Sequence, residues 1–296
     1  MNRITKLEKR DFLSNSDLTK DEIIYLIKLA NKFKHNQITI NTGKKVLGLV
    51  FDKASTRTRV SFQVAMARLG GQTVDLNPEV TQLGRGEPIK DTARVLSRYC
   101  DALAIRTFSQ QELEEYAEWS TIPVINALTD LEHPCQALAD FMTVQECFGV
   151  LKGKTLAYIG DGNNVAHSLM LCGALLGVNI RIAIPKGFEP SNSILNKATS
   201  LADFGSKIEV TNNPIEAAND ADVLYTDVWA SMGQEDEKQR REEAFKGFSI
   251  NDSLLSKAKQ EAIVLHCLPA HRGQEISATT MEGSQSRIFD QAENRL

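Results

Sequence analysis

Four short runs hold side chains that can do chemistry. The first is Ser55-Thr56-Arg57-Thr58-Arg59. It follows an apolar run and opens a helical pattern, so it lies on the first turn of a helix. The first backbone N–H groups there have no partner within the helix, and the helix dipole adds positive potential. Hydroxyls and two guanidinium groups at such a place suit a phosphate group. The second run is His133-Pro134-Cys135-Gln136. Pro134 fits a first helical turn, and His133 and Gln136, three apart, share one side of it. The third is Asp227-Val228-Trp229-Ala230-Ser231-Met232-Gly233. A carboxylate after a buried strand suits capture of an ammonium group; a turn-capping Asp is the other reading. The fourth is His266-Cys267-Leu268-Pro269-Ala270-His271-Arg272-Gly273. Pro269 and Gly273 force a turn that exposes the residues before it. Cys267 reads there either as a nucleophile or as a buried structural thiol.

The elements that must position these runs alternate in type. Residues 46–51 read as a buried strand and 60–69 as a helix closed by Gly70-Gly71. Strands follow at 72–76, 101–106 and 123–127, with helices at 88–99 and 110–119. Arg106 ends one of these strands. A helix from 133 to about 148 leads to Gly149 and Gly153, which flank a boundary. A second set has strands at 155–159, 179–184, 207–210, 223–226 and 262–266. Its helices cover 165–176 and 191 to about 204, 235–243 is a solvated helical face, and the tail from 279 to 296 is helical. The expectation is an α/β protein with two doubly wound parallel-sheet domains joined by interdomain helices. Its divisions are a first domain at 1–133, an interdomain helix at 134–150, a second domain at 151–275 and a returning C-terminal helix at 276–296. In such sheets ligands bind beyond the carboxyl ends of the strands. The runs at 55–59 and 133–136 and Arg106 all lie at that edge.

Composition excludes several classes. The 296 residues suffice for two α/β domains, with 42% hydrophobic and 24% charged residues, as in ordinary globular chains. A net charge of −4 argues against a nucleic-acid partner, so any anion site is local. The five cysteines are dispersed without a CxxC pair, which reads as reduced thiols. No apolar run approaches the roughly 18 residues that span a membrane. The first nine residues have no apolar signal core and carry Glu8, so the cytoplasm is expected. Gly160-Asp161-Gly162 after a strand resembles the start of a dinucleotide site, but the third glycine is missing. The next strand also ends Ala183-Ile184-Pro185-Lys186, without a ribose-binding acid. The turn still sets Asn163 and Asn164 at a helix start beside the sheet edge.

Taken together, the four runs resemble the ornithine carbamoyltransferases, almost end to end. Ser-Thr-Arg-Thr-Arg at 55–59 and His-Pro-x-Gln at 133–136 look like the carbamoyl-phosphate motifs shared with aspartate carbamoyltransferase. Asp227 with Ser231-Met232-Gly233, and His266-Cys267-Leu268-Pro269, look like the ornithine motifs. The Pro-Leu-Pro-Arg type loop of the aspartate enzyme is absent, and the Ser-Met-Gly loop that putrescine and N-acetylornithine relatives modify is intact. The resemblance implies transfer of a carbamoyl group from carbamoyl phosphate to L-ornithine in arginine biosynthesis. It implies no metal or organic cofactor, and a homotrimer. By the same resemblance, Ser55, Thr56, Arg57, Thr58, Gln82, Arg106, His133, Gln136 and Arg295 hold carbamoyl phosphate. Asn164, Asp227, Ser231 and Met232 hold ornithine, and Cys267 and Leu268 sit between the substrates. Arg57, Arg106, His133, Asp227 and Cys267 are the expected catalytic groups. A carbamoyltransferase of another amine, such as putrescine, and a non-catalytic relative are the alternatives.

Overall fold

The computed structural model describes residues 6–77, 86–202, 205–230 and 237–296. The chain divides into two compact units, Met1–Leu138 with Arg295–Leu296, and Ala139–Asn294.

The first unit holds α1 (Lys20–Lys34), β1 (Val46–Phe51), α2 (Thr56–Arg68), β2 (Gln72–Leu76), α3 (Ile89–Tyr99), β3 (Ala102–Arg106), α4 (Gln110–Trp119) and β4 (Val124–Leu128). Its four strands are parallel in the order β2-β1-β3-β4. The apolar strand sequences follow from this. β1 and β3 are central and buried, and Leu49, Leu103 and Ile105 are fully enclosed. Leu113, Tyr116 and Val124 pack with Val50 and Ile105 on one side, and Phe62 and Met66 of α2 pack against Leu49 and Phe51. β2 lies at an edge, and none of its residues is fully buried.

The helix α5 (Pro134–Phe148) carries the chain into the second unit, which continues with β5 (Thr155–Ile159), α6 (Asn164–Leu176), β6 (Asn179–Ala183), α7 (Asn192–Leu201), β7 (Ile208–Thr211), α8 (Pro214–Ala218), β8 (Val223–Thr226), α9 (Lys238–Ala244), α10 (Asp252–Leu255), β9 (Ile263–His266), α11 (Ala278–Met281) and α12 (Ile288–Glu293). Its five parallel strands run β7-β6-β5-β8-β9. Every described residue of α6 beyond Asn164 is buried, in keeping with a sequence that is apolar except at His167 and Ser168.

The strand order reverses once in each sheet, between β1 and β3 and between β5 and β8. Crevices beyond the strand ends at such points are where α/β sheets bind ligands. Phe51 is the register partner of Arg106, and Tyr158 of Tyr225. The first candidate run and Arg106 thus belong to one switch point, and Asn163 and Asp227 to the other.

One expectation needs correction. The tail is not one helix. α11 and α12 are separated by residues that pair with the last strand, Ser286 bridging to Val264. The helix expected from 191 to about 204 is α7, Asn192–Leu201, and residues 203–204 lie outside the described residues. In addition, Gly162 is a packing glycine: a Cβ there would lie 2.4 Å from the Pro190 nitrogen and 2.5 Å from the Phe188 oxygen. Its conformation answers neighbouring backbone, in keeping with the missing dinucleotide fingerprint.

Candidate active site

Ser55 caps α2 from extended backbone, its Oγ accepting the Thr58 N–H at 3.2 Å. This places Thr56 and Arg57 in the exposed first turn and turns Thr58 inward, where it is 2% exposed. The loop entering this cap is held by Lys53, buried beneath Phe108 with its ammonium 4.1 Å from the ring centroid and paired with Asp130. Asp130 belongs to the turn that precedes His133, so one lysine ties two of the site's segments together. Nothing in its spacing marks it.

Arg59 does not join the anion site. It pairs with Asp75 of β2 and lies over the Phe51 ring. Residues two apart on a helix point to different sides, so Arg57 and Arg59 could not both serve one ligand. The cationic partners of Arg57 come from elsewhere. Arg106, at the end of β3, is 8% exposed. Burial, then the nearby Arg295 and Arg57, lowers its pKa from 12.5 to about 10. Its Nε has no hydrogen-bond partner among the described residues. Among those residues, neither Arg57 nor Arg106 is paired with a carboxylate.

Arg295 reaches the same place from the chain's end. Its Nη1 donates to Gln136 Oε1 at 2.5 Å and to His133 Nε2 at 3.4 Å, and its Nη2 to Thr58 Oγ1 at 3.3 Å. An arginine only donates, so His133 Nε2 is an acceptor and the ring is neutral with its proton on Nδ1. Burial, Arg295 and Arg106 hold the His133 pKa well below its usual value. The first unit therefore gathers Ser55, Thr58, Arg57, Arg106, His133, Gln136 and Arg295 around one helix start. Arg57, Arg106 and Arg295 make the local charge positive. Such a site attracts a small anion of high charge and offers neutral donors beside it.

The second unit builds the opposite polarity. Asn163 caps α6 with its Oδ1 and uses its Nδ2 to donate to Asp227 Oδ2 at 2.8 Å. Asp227 Oδ1 accepts the Val228 N–H at 2.8 Å and the Cys267 thiol at 3.0 Å. Asp227 is 6% exposed. The thiol donates, so it carries its proton. Burial first, then Asp227 and Asp140, push its pKa well above the ordinary thiol range. A neutral donor thiol is a poor nucleophile, which decides against that role for Cys267.

His266 shapes the turn that carries Cys267. Its Nδ1 accepts the Leu268 N–H at 2.9 Å, and its Nε2 faces the buried Glu275 Oε1 at 3.0 Å. A backbone N–H can only donate, so Nε2 holds the proton and donates to Glu275. Leu268 sits at φ +60, a left-handed conformation uncommon for leucine. Asp227, His266 and Cys267 bring ligand atoms within 4.8 Å of one another. With the Nδ1 lone pair on Leu268 and Nε2 protonated, the imidazole has none left for a metal.

Asn164 lies at the first position of α6. Gln82, Ser231 and Met232 fall outside the described residues. Asn163, which the sequence sets at a helix start beside the sheet edge, is the N-cap of α6 and reaches Asp227. Lys53 and Glu275 are site residues that the sequence reading passed over.

Comparison with known proteins assigns both units. Residues 10–146 match the aspartate/ornithine carbamoyltransferase carbamoyl-P binding domain, and residues 152–296 the Asp/Orn binding domain of the same family. The chain is 67% identical over 293 residues to an ornithine carbamoyltransferase of Parasynechococcus marenigrum, covering 99% of this chain and 92% of that one. It is 65% identical, with the same coverage, to the ornithine carbamoyltransferase of Prochlorococcus marinus strain MIT 9313. Among solved structures, ornithine carbamoyltransferase from Pyrococcus furiosus superposes with a TM-score of 0.94 at 48% identity, covering 97% and 93% of the two chains. The Gloeobacter violaceus enzyme gives 0.90 at 52% identity, covering 98% and 96%. Motifs, strand order and these matches over nearly the whole length agree: the chain belongs to the aspartate/ornithine carbamoyltransferase family.

Proposed function

We propose that this protein transfers the carbamoyl group of carbamoyl phosphate to the δ-amine of L-ornithine, giving L-citrulline and phosphate. The observation that carries the reading is the cluster of Arg57, Arg106 and Arg295 at the start of α2, with Arg106 buried and its Nε unmet. Such a cluster needs an anion, and a doubly charged phosphate ester or anhydride supplies one.

In this reading Ser55, Thr56, Arg57, Gln82 and the first N–H groups of α2 hold the phosphate. Thr58, Arg106, His133, Gln136 and Arg295 hold the carbamoyl group, and their donors meet the negative charge that grows on its carbonyl oxygen. Each well-placed donor of this kind contributes roughly 2.7–4 kcal/mol to the transition state. Neutral His133 donates without adding charge. Asn164, Asp227, Ser231 and Met232 hold ornithine, with Cys267 and Leu268 beside the reacting groups. The neutral δ-nitrogen attacks the carbonyl carbon, the carbon–oxygen bond to phosphate breaks, and the nitrogen's surplus proton leaves toward Asp227 or the departing phosphate. A free alkylamine has a pKa of about 10, so the site must favour the neutral amine. Bringing two substrates together can itself supply ~7–11 kcal/mol.

The decisive assay is citrulline formation with no added metal or cofactor, comparing ornithine, putrescine and aspartate as acceptors. Turnover with ornithine alone is expected. Preference for putrescine, or phosphate release without a carbamoylated product, overturns the proposal. A cytoplasmic homotrimer is part of the same reading, with Gln82 completing a neighbouring chain's site. Mixing Gln82→Ala and Arg57→Ala chains then restores activity above the average of the two parents, and equality with that average removes Gln82 from the neighbour's site.

A further inference from the structure

A buried hydrogen-bond network lies behind Asp227 and Cys267 in the second unit, and the transfer chemistry makes no direct use of it. Its centre is Gln291 on α12, which is 1% exposed. Gln291 Oε1 accepts the His266 backbone N–H at 2.8 Å. Its Nε2 donates to Asp140 Oδ1 at 2.7 Å and to the Tyr225 hydroxyl at 3.1 Å. The Tyr225 hydroxyl donates to Asp140 Oδ2 at 3.1 Å. Asp140 on α5 and Tyr225 on β8 are both fully enclosed.

The geometry of the last strand explains why a side chain is used here. β9 is the edge strand of its sheet. On its outer side Val264 donates to Gln285 O and accepts from the Arg287 N–H, both at 2.9 Å. In a strand the N–H two residues further on faces the same side, which is that of His266. The chain has by then turned into α12 and offers no backbone carbonyl. Gln291 supplies one from its side chain, so the buried N–H is met. The amide nitrogen of the same side chain is fixed in turn by Asp140 and Tyr225. Cys267 is the next residue after His266, and its thiol donates to Asp227 at 3.0 Å.

We propose that Gln291 is a positioning residue for carbamoyl transfer: it stands in for a strand at the end of β9 and so holds the Cys267 thiol against Asp227. The proposal rests on the assignment of Asp227 and Cys267 to the amine site.

Gln291→Leu removes the acceptor and both donors at similar size. Its kcat/KM for ornithine is expected to fall roughly tenfold to a hundredfold, the loss that follows a displacement of about 1 Å at a reacting centre. Inorganic phosphate binding, measured by calorimetry, stays at the wild-type value. Alkylation of Cys267 by iodoacetamide, mapped by peptide mass, becomes faster; this readout needs no turnover. Gln291→Glu guards against a variant that fails to fold. Protonated, the new carboxyl accepts from His266 and donates to Asp140; ionised, it faces the Asp140 carboxylate with no donor. The charged and titratable groups around it are Asp140 from α5, Tyr225 and Asp227 from β8 and its end, and His266 and Cys267 from β9. Relative to wild type, Gln291→Glu should be active at low pH and lose activity as pH rises. A flat ratio across pH overturns the proposal, as does a Gln291→Leu protein that melts earlier yet keeps wild-type ornithine kinetics and Cys267 reactivity. Unchanged thiol reactivity with lost turnover also overturns it. If wild type makes no citrulline, the functional reading fails, and the alkylation rates still decide the positioning claim.

Discussion

Replacing Arg106 with methionine should make the ligand-free protein more stable while destroying its response to phosphate. Arg106 is 8% exposed, and its pKa falls from 12.5 to about 10 because of burial and then Arg295 and Arg57. At 1.36 kcal/mol per pKa unit, that difference corresponds to roughly 3 kcal/mol of cost for holding the charge in the folded state. The sign follows from the depressed pKa of a base. The cost is present at every pH below about 10 and is relieved as pH rises through that value. Methionine keeps an unbranched stem and removes the charge and the unmet Nε together. Thermal unfolding at pH 7.5 should therefore show a higher melting temperature for Arg106→Met, by about 2–4 °C per kcal/mol recovered. Inorganic phosphate should raise the wild-type melting temperature, since ligand at a hundredfold its Kd stabilises by about 2.7 kcal/mol. It should leave the variant nearly unmoved, and citrulline formation should be lost. A variant less stable than wild type without ligand, or one that phosphate stabilises equally, refutes the view that Arg106 is a charge held for an anion.

Three other perturbations test the second unit. Asp227→Asn should weaken ornithine in steady-state kinetics and leave phosphate binding unchanged; it should also speed Cys267 alkylation, because Asp227 follows burial as the largest influence raising that thiol's pKa. In wild type, the iodoacetamide rate at Cys267 should keep climbing with pH and show no plateau below pH 9, whereas a plateau near neutrality identifies a thiolate. Arg241→Ala strips the partner 2.8 Å from buried Asp161, and breaking such a pair costs about 3–5 kcal/mol. Burial already raises the Asp161 pKa to about 6 despite Arg241; a carboxyl with a raised folded pKa stabilises the fold at low pH and loses that stability as pH rises. Urea unfolding should therefore show a larger deficit for Arg241→Ala at pH 8 than at pH 5.5.

What the sequence made legible is the part written in runs. Strand and helix alternation survives single-residue noise, so both parallel sheets and the strand ends carrying the four chemical runs could be read directly. The helix start at 55–59 was equally plain, since it is set by the apolar run before it and the helical pattern after it. The sequence reading failed where a residue acts alone across a long separation. Lys53 meets Asp130, and Gln291 meets Asp140 and His266, through contacts that no spacing announces. Arg59 was misjudged for a reason the sequence did contain, since positions two apart diverge around a helix. The tail was misjudged because its middle does not coil: the polar run 283–287 pairs by backbone with the edge of β9, while Ile288 packs into the core.

The two units show how one architecture yields opposite electrostatics. Each places its groups beyond a switch point of a parallel sheet, and side chains from separate strand ends decide the sign. In the first unit the strand and helix ends bring Arg57, Arg106 and Arg295 together, and the His133 imidazole among them is driven neutral. In the second, Asp227 stands with a thiol that keeps its proton. That neutrality has a consequence for an amine substrate. An ionised Cys267 would put a second negative charge 3.0 Å from Asp227. Each negative charge close to an amine favours its ammonium form, and that form has no lone pair for attack. A carboxylate with a thiolate beside it would favour that form more strongly than the carboxylate alone. On the proposed function, the buried surroundings that make Cys267 unreactive as a nucleophile therefore also spare a bound amine a second negative charge.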